Sequence, residues 1–580
     1  MKSFFKSVLA TIIGIFFTFI LLFFLIAAIS SINNKELKVD QNSILTISLD
    51  TPIYDRAEKN PLDGVLPSSL GIEATGLNVI LESILKAKND DNIKGIYLQV
   101  ASTNAGITSI SEIREALVDF KSSGKFVVSY AEWHTQSAYY LASVSDTIYL
   151  NPMGDILLKG LNANLTFFKR SLEKIGVEPQ IIRHGKFKSA IEPFINEKMS
   201  EENRLQTTTY LNSIWSNIVQ PIAISRNISN ERINEIANEL LCNSASAALE
   251  LNLVDQLVYH DQFISSLKSA VNIKKDEKLN LINIKDYSKV APSTNNVSKD
   301  NIAVIYAQGD IISGEGSEYQ IGSERIAKAI KKARKNKNVK AVVLRINSPG
   351  GSALASDIIW REVTLTSQTK PIVASMGDVA ASGGYYIACA ADTIIANPTT
   401  ITGSIGVFGL LFNTQELMED KIGFDFDIVK TNEMSDFGQM NRPLKKEERS
   451  IIQLSIERIY DDFITKVANG RNLTKQEVDN IGQGRVWSGE NAKEIGLIDL
   501  FGGLNYSIQV AAEMANLDTY NLIEYPKQEN FLEVILDIEG VKQTLLEKNI
   551  GSNYHYYKTL NSLINSQGIL MRLPAEISIN

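Results

Sequence analysis

The sequence is short of the residues that most often carry hydrolytic or metal chemistry. Its 580 residues include only four histidines, His134, His184, His260 and His555, and two cysteines, Cys242 and Cys389. The cysteines lie far apart, with no CxxC and no ladder of Cys and His at ligand spacing, so neither a disulfide framework nor a zinc site is expected. Positive charge is in deficit as well. The formal net charge of -8 leaves no basic surface for binding nucleic acid through its phosphates. The histidines are scattered, so a hydrolase built on an imidazole base has few candidates.

What is present is an ordinary globular composition, 44% hydrophobic, 21% charged and 8% aromatic, which excludes disorder and collagen. At about 100–200 residues per domain, the length fits three or four packed units or a large repeated one. Lys2 and Lys6 precede an uncharged run whose apolar heart is Val8 to Ile29. That run has about the 20 residues a membrane-spanning helix needs. A cleavable signal has an apolar region of only roughly 7–15 residues, although Ala27-Ala28 and Ser30-Ser31 mimic its cleavage site. Residues 1–34 therefore read as an uncleaved transmembrane anchor. Basic residues on its leading side put the rest of the chain outside the cytoplasm.

The chain contains an internal duplication. SYAEWHTQSAYYLASVSDTIYLNP, Ser129 to Pro152, aligns without gaps on SMGDVAASGGYYIACAADTIIANP, Ser375 to Pro398. The same offset superposes NIKGIYLQV (Asn92 to Val100) on NVKAVVLRI (Asn338 to Ile346). A period this long means duplicated domains, because solenoid repeats are roughly 20–50 residues. Two halves result, 40–290 and 300–520, leaving a C-terminal extension over 521–580 with no assigned role. Apolar β-branched strands at Ile93 to Val100 and Val339 to Ile346 precede helices at Ile110 to Lys121 and Ala355 to Thr366. Strands follow at Phe126 to Tyr130 and Ile372 to Ser375, and this strand–helix–strand order predicts an α/β fold.

The halves differ where chemistry is expected. Gln136-Ser137-Ala138 of the first half is replaced by Ser382-Gly383-Gly384 in the second, at the start of a helix that follows a strand. A serine there has an exposed hydroxyl beside a helix dipole, although the same residue also fits a helix cap. Ser348-Pro349-Gly350-Gly351 ends the strand before it, where the first half has Ser102-Thr103-Asn104-Ala105. Backbone N–H groups at such a glycine turn can form an oxyanion hole, and a plain tight turn is the alternative. No histidine offers a base: His134 sits in the half without Ser382 and aligns with Ala380. His184, however, precedes GKFKSAIEPF, Gly185 to Phe194, which has no counterpart in the second half. A lysine can replace imidazole if burial lowers its pKa from about 10.4 by some 2–3 units, and both Lys186 and Lys188 are candidates.

The set formed by NSPGG (Asn347 to Gly351), GDVAASGGYY (Gly377 to Tyr386), TGSIGV (Thr402 to Val407) and GRVWSGENAKEIGLID (Gly484 to Asp499) resembles the signal peptide peptidase A family, in its long duplicated form. The resemblance implies two tandem ClpP/crotonase-like domains and a Ser/Lys dyad divided between them. It places the nucleophile at Ser382, the general base at Lys188 rather than Lys186, and a lysine-orienting hydroxyl at Ser404. Gly383, Gly350 and Gly351 match the oxyanion-hole region, with neither metal nor cofactor. The implied substrates are cleaved signal peptides and other extended hydrophobic peptides, and the implied assembly is a homotetramer. With the anchor, this places the body on the periplasmic side of an inner membrane. Asp378 reads as a helix-start residue and Tyr385 as core packing. Two other classes fit the same residues: an inactive peptide-binding scaffold, and a crotonase-like enzyme acting on acyl-CoA.

Overall fold

The computed structural model describes residues 38–57, 74–291, 298–528 and 568–572, together with residues 6, 10–11 and 13–18 near the N-terminus. Among these, no helix is long and apolar enough to cross a membrane. Most of the anchor expected over residues 1–34 lies outside the described residues.

Each half contributes a mainly parallel sheet. In the first, the strand order is Gln256–Leu257, Thr147–Leu150, Phe126–Ala131, Ile93–Leu98, Ser43–Ile47 and Leu281–Asn283, with every pairing parallel. In the second it is Val486–Ser488, Ile401–Gly403, Ile372–Ala381, Val339–Ser348, Asn301–Gln308 and Asn521–Tyr525. Helices cover both faces of such sheets, so their strands are largely apolar runs, buried continuously rather than alternately. Ile302 through Ala307 and Val342 through Ile346 show this, being buried at every position. The crossovers between strands are helical, Leu77–Lys88 and Ile107–Lys121 in one half and Ser323–Lys335 and Ala353–Ser367 in the other. Each half also carries a helix of 26 residues, Glu201–Arg226 or Lys446–Arg471, and each of these ends at an asparagine in the left-handed conformation. A short polar side chain tolerates that conformation better than most, which makes it a good C-cap.

The halves interlock rather than hang side by side. The largest apolar cluster joins Leu45, Ile80 and Ile110 of the first to Val304, Ala381 and Ile508 of the second. Beneath that seam Arg345, fully buried, donates to Asp55 and to Glu112, both at 2.6 Å. A third, mixed sheet contains strands of both: Gln320–Gly322, Asp310–Ile312, Gly350–Ser352, Gly568–Arg572, Phe408–Asn413 and Glu178–Arg183. Glu178–Arg183 comes from the first half, and all six of its residues pair antiparallel with Phe408–Asn413 of the second.

Three sequence expectations change. The strand expected over Ile372 to Ser375 runs on to Ala381, because beyond Ser375 it gains a new parallel partner in Ile401–Gly403. That extension carries Asp378 within the strand, so it does not start its own helix. Its carboxylate instead accepts from the Thr108 and Ser109 amides, at 2.9 and 3.2 Å, and from the Ser109 hydroxyl at 2.6 Å. It thus caps the helix Ile107–Lys121 of the other half, whose own N-cap, Gly106, has no side chain to do so. Finally, Asn521–Tyr525 pairs in parallel with Asn301–Ile305, so the second sheet continues past residue 520 into the extension.

Candidate active site

Ser382 follows the last residue of the strand Ile372–Ala381 and precedes the short helix Gly383–Ala388. Its backbone has φ 54° and ψ −114°, an unfavourable conformation for a residue with a Cβ. The surroundings impose it: the Ser382 amide donates to the Gly403 carbonyl at 2.8 Å, while its own carbonyl accepts from the Tyr386 amide at 2.9 Å. The hydroxyl makes no capping hydrogen bond to the helix. It meets Lys188 instead, whose amine donates to Ser382 Oγ at 2.8 Å.

Lys188 and Ser382 are both fully buried. The other contacts of the amine are neutral, Ser404 Oγ at 3.0 Å and the Ser404 carbonyl at 3.1 Å. Burial therefore pushes the Lys188 amine well below its usual range. A neutral amine in hydrogen-bond reach of a hydroxyl can take its proton. Lys186, the other candidate, is exposed.

Contacts from several elements hold Lys188. The Phe187 amide donates to the Gln483 carbonyl of the second half at 3.0 Å. Gln206, on the helix Glu201–Arg226, donates to the Phe187 carbonyl at 3.2 Å and to Ser189 Oγ at 2.8 Å. Its own carbonyl accepts from the Val486 amide at 3.0 Å. One buried amide thereby ties the lysine loop to the second half. Glu192, also buried, accepts from the Ser200 amide at 3.1 Å and from Asn203 at 2.9 Å, which fixes the turn that follows. Gln206 carries no sequence signal that would single it out. Glu192 and Gly484 lie in the quoted motifs, but their reason for being there is visible only in three dimensions.

The three glycines assigned to an oxyanion hole come together. A Cβ on Gly383 would stand 3.2 Å from Gly350 Cα and 3.2 Å from the Gly351 amide nitrogen. Gly350 has φ +103°, which glycine adopts far more readily than other residues, and its amide donates to Ser348 Oγ at 3.1 Å. The corresponding place in the first half is chemically closed: Gln136 accepts from the Lys159 and Gly160 amides at 3.0 and 2.9 Å.

The histidines lie elsewhere. His184 pairs with Glu457 at 2.6 Å and stacks on Tyr460, with ring centroids 3.7 Å apart. His134 is buried, and burial lowers its pKa to about 4. His260 begins a helix beside Tyr130, and His555 lies outside the described residues. Tyr385 is buried, and its hydroxyl donates to the Leu497 carbonyl at 2.8 Å.

Comparison with known proteins agrees with this arrangement of two halves. The profile of peptidase family S49 matches twice, at residues 119–274 and 364–518. The chain is 37% identical to Protease 4 of Haemophilus influenzae, an alignment covering 87% of this chain and 84% of that protein. It is 34% identical to the chloroplastic serine protease SPPA of Arabidopsis thaliana, over 88% of this chain and 76% of that one. Among solved structures, ClpP1 from Listeria monocytogenes aligns with 35% of this chain and 91% of its own, at 15% identity and a TM-score of 0.23. The duplicated profile, together with relatives matched along most of their length, shows that the chain belongs to peptidase family S49, the family of serine proteases that its motifs resemble.

Proposed function

We propose that the chain is a serine endopeptidase working through a Ser382/Lys188 dyad, with each partner supplied by a different half. The observation that carries this reading is the buried Lys188 amine, 2.8 Å from Ser382 Oγ with neutral neighbours. In its neutral form, which burial favours, the amine accepts the hydroxyl proton as Ser382 Oγ attacks a peptide carbonyl. Ser404 orients the amine through its hydroxyl and its carbonyl. The Gly351 and Gly383 amides stabilise the oxyanion that forms, while the Gly350 amide, donated to Ser348 Oγ, shapes the turn. The protonated lysine then gives its proton to the leaving amine, and water resolves the acyl-enzyme. No metal or cofactor is required by this sequence of steps.

The substrates of this reading are extended apolar peptides, including signal peptides after their release from precursors. Support comes from the apolar side chains of Ile191, Phe194, Phe408 and Leu410, clustered beside the lysine loop. The proposal includes a transmembrane anchor over residues 1–34, a body on the periplasmic side of an inner membrane, and a homotetramer. A serine-reactive acylating probe tests the centre. The expected result is a single adduct on Ser382, lost in both Ser382→Ala and Lys188→Met. An unlabelled Ser382 in a folded protein would leave the chain a peptide-binding scaffold.

A further inference from the structure

Tyr460 lies on the helix Lys446–Arg471 with its side chain buried, and it engages the lysine segment at both ends. At the near end the His184 ring stacks on it, with centroids 3.7 Å apart, and His184 Nδ1 lies 2.6 Å from a Glu457 carboxylate oxygen. At the far end the link runs through Gln483. The Tyr460 hydroxyl accepts from the Gln483 amide at 3.1 Å, and the Gln483 carbonyl accepts in turn from the Phe187 amide at 3.0 Å. The residue after Phe187 is Lys188. The same hydroxyl donates to Asp479 Oδ1 at 2.6 Å, on the helix Lys475–Ile481. A carboxylate acceptor makes that bond strong and fixes the hydroxyl so that its oxygen can accept from Gln483.

Gln483 needs that hold. Its φ is 51°, in the left-handed region that a residue with a Cβ seldom enters. Its side chain donates to Asp479 Oδ2 at 3.3 Å, so both oxygens of the carboxylate serve this one turn. The turn is also where the second half meets the lysine segment. A Cβ on Gly185 would stand 2.4 Å from the Gln483 carbonyl oxygen, and Gly484 packs directly on the Lys188 backbone. A shift of the turn therefore shifts Lys188, whose amine must stay within hydrogen-bond reach of Ser382 Oγ, now 2.8 Å away.

The other copy of the fold shows what is special here. Trp215 holds the same place in the helix Glu201–Arg226 that Tyr460 holds in Lys446–Arg471, the fifteenth residue of 26. Asn234 likewise matches Asp479, each the fifth residue of the helix that follows. The Trp215 indole donates to Asn234 at 2.7 Å, so the tie between the two helices is kept in both copies. An indole N–H only donates, whereas a phenol donates and accepts. The second half therefore has one capability that the first lacks, and it uses it on Gln483. We propose that Tyr460 is a positioning residue for the reaction: its hydroxyl fixes the left-handed turn at Gln483, and the turn fixes where Lys188 stands against Ser382. The proposal rests on the Ser382/Lys188 reading. His184, Glu457 and Asp479 are the titratable groups around the phenol, while the lysine amine itself contacts Ser382 and Ser404.

The test measures hydrolysis of an extended apolar peptide by the full chain across pH. In Tyr460→Phe, kcat should fall about 3–10-fold, the worth of one such hydrogen bond, with KM within about twofold of the wild type. The limb along which kcat rises with pH should also move to higher pH, because a lysine held less closely meets more water and is easier to protonate. Asp479→Asn keeps the shape and one acceptor oxygen, so it should move kcat and the limb the same way by less. It decides the matter alone if Tyr460→Phe does not fold. Gln483→Gly enters the left-handed region without strain, so Tyr460→Phe should cost less kcat in that background than in the wild type. An unmoved kcat and limb, whatever happens to the denaturation midpoint, overturns the proposal. A raised KM with an unmoved limb, or an equal cost of Tyr460→Phe in both backgrounds, does the same. Failure of the underlying dyad looks different, because Lys188→Met would then keep its activity.

Discussion

Gly484 of the second half leaves Lys188 of the first the room it occupies. A Cβ on Gly484 would stand 2.6 Å from the Lys188 nitrogen, Cα and Cβ alike, and the glycine itself has φ +85°. The motif that begins at Gly484 is therefore a backbone wall for the lysine, pinned by the Gly484 amide donating to the Ile405 carbonyl at 2.7 Å.

Substituting Gly484→Ala should therefore displace Lys188 as well as strain the loop. Backbone strain at such a φ is worth about 1–3 kcal/mol. The expected outcome is a lower denaturation midpoint together with at least a tenfold loss of kcat. Full activity with only a stability loss would show that the loop yields without moving the lysine.

Ser382→Ala and Lys188→Met should each reduce kcat by on the order of 10^4–10^6-fold, the range seen when one member of a nucleophile–base unit is lost. Neither should unfold the protein, since both remove a polar group without opening a large cavity. Circular dichroism and peptide hydrolysis on the same preparations check both halves of this expectation.

The pH dependence has a definite sign. Burial holds Lys188 well below its usual value, and the amine acts as a base only when neutral. Activity should therefore fall as pH drops through that lowered value, and kcat/KM should rise along a limb centred well below 10.5. Stability moves the same way. Between the folded value and about 10.4 the unfolded lysine binds a proton that the folded one does not, so this group adds stability as pH rises. Urea midpoints across pH, compared with Lys188→Met, isolate that contribution.

Ser404→Ala removes one hydrogen bond to the amine and leaves the Ser404 carbonyl contact in place. A bond of this kind is worth about 0.5–1.5 kcal/mol, and 1.4 kcal/mol corresponds to tenfold. A fall of roughly tenfold in kcat, with KM little changed and the midpoint of the pH limb moved, is expected from steady-state kinetics. An unmoved limb with a raised KM would place Ser404 in substrate binding instead.

Arg345 is one place where electrostatics holds the two halves together. Arg345→Leu leaves Asp55 and Glu112 buried without their cation, and breaking a buried pair in this way costs about 3–5 kcal/mol. Chemical denaturation should show a loss of that size. A double replacement that also makes both carboxylates neutral and apolar should recover much of it.

The duplication, the α/β class and the strands Ile93–Leu98 and Val339–Ser348 were legible in the sequence, because a strand covered on both faces reads as a largely apolar run. The serine and the glycine turn were legible as differences between two copies of one pattern. Ser382 as a helix cap and Ser382 as a free hydroxyl remained equal on local grounds. What separates them is the amine of Lys188, 194 residues away in the chain. Asp378 was misread for the same reason: its partners, Thr108 and Ser109, belong to the other half.

The order of residues sets which chemical groups are available: a serine among glycines, a lysine in a segment without a counterpart, and histidines too scattered to serve. Side-chain chemistry and periodicity are local properties, so they survive in a string of letters. Which lysine is buried, and which glycine makes room for it, depends on the packing of the two halves against each other. Burial and close approach depend on residues hundreds of positions apart, and it is burial that lowers the amine at Lys188 while Lys186, two residues earlier, stays in water.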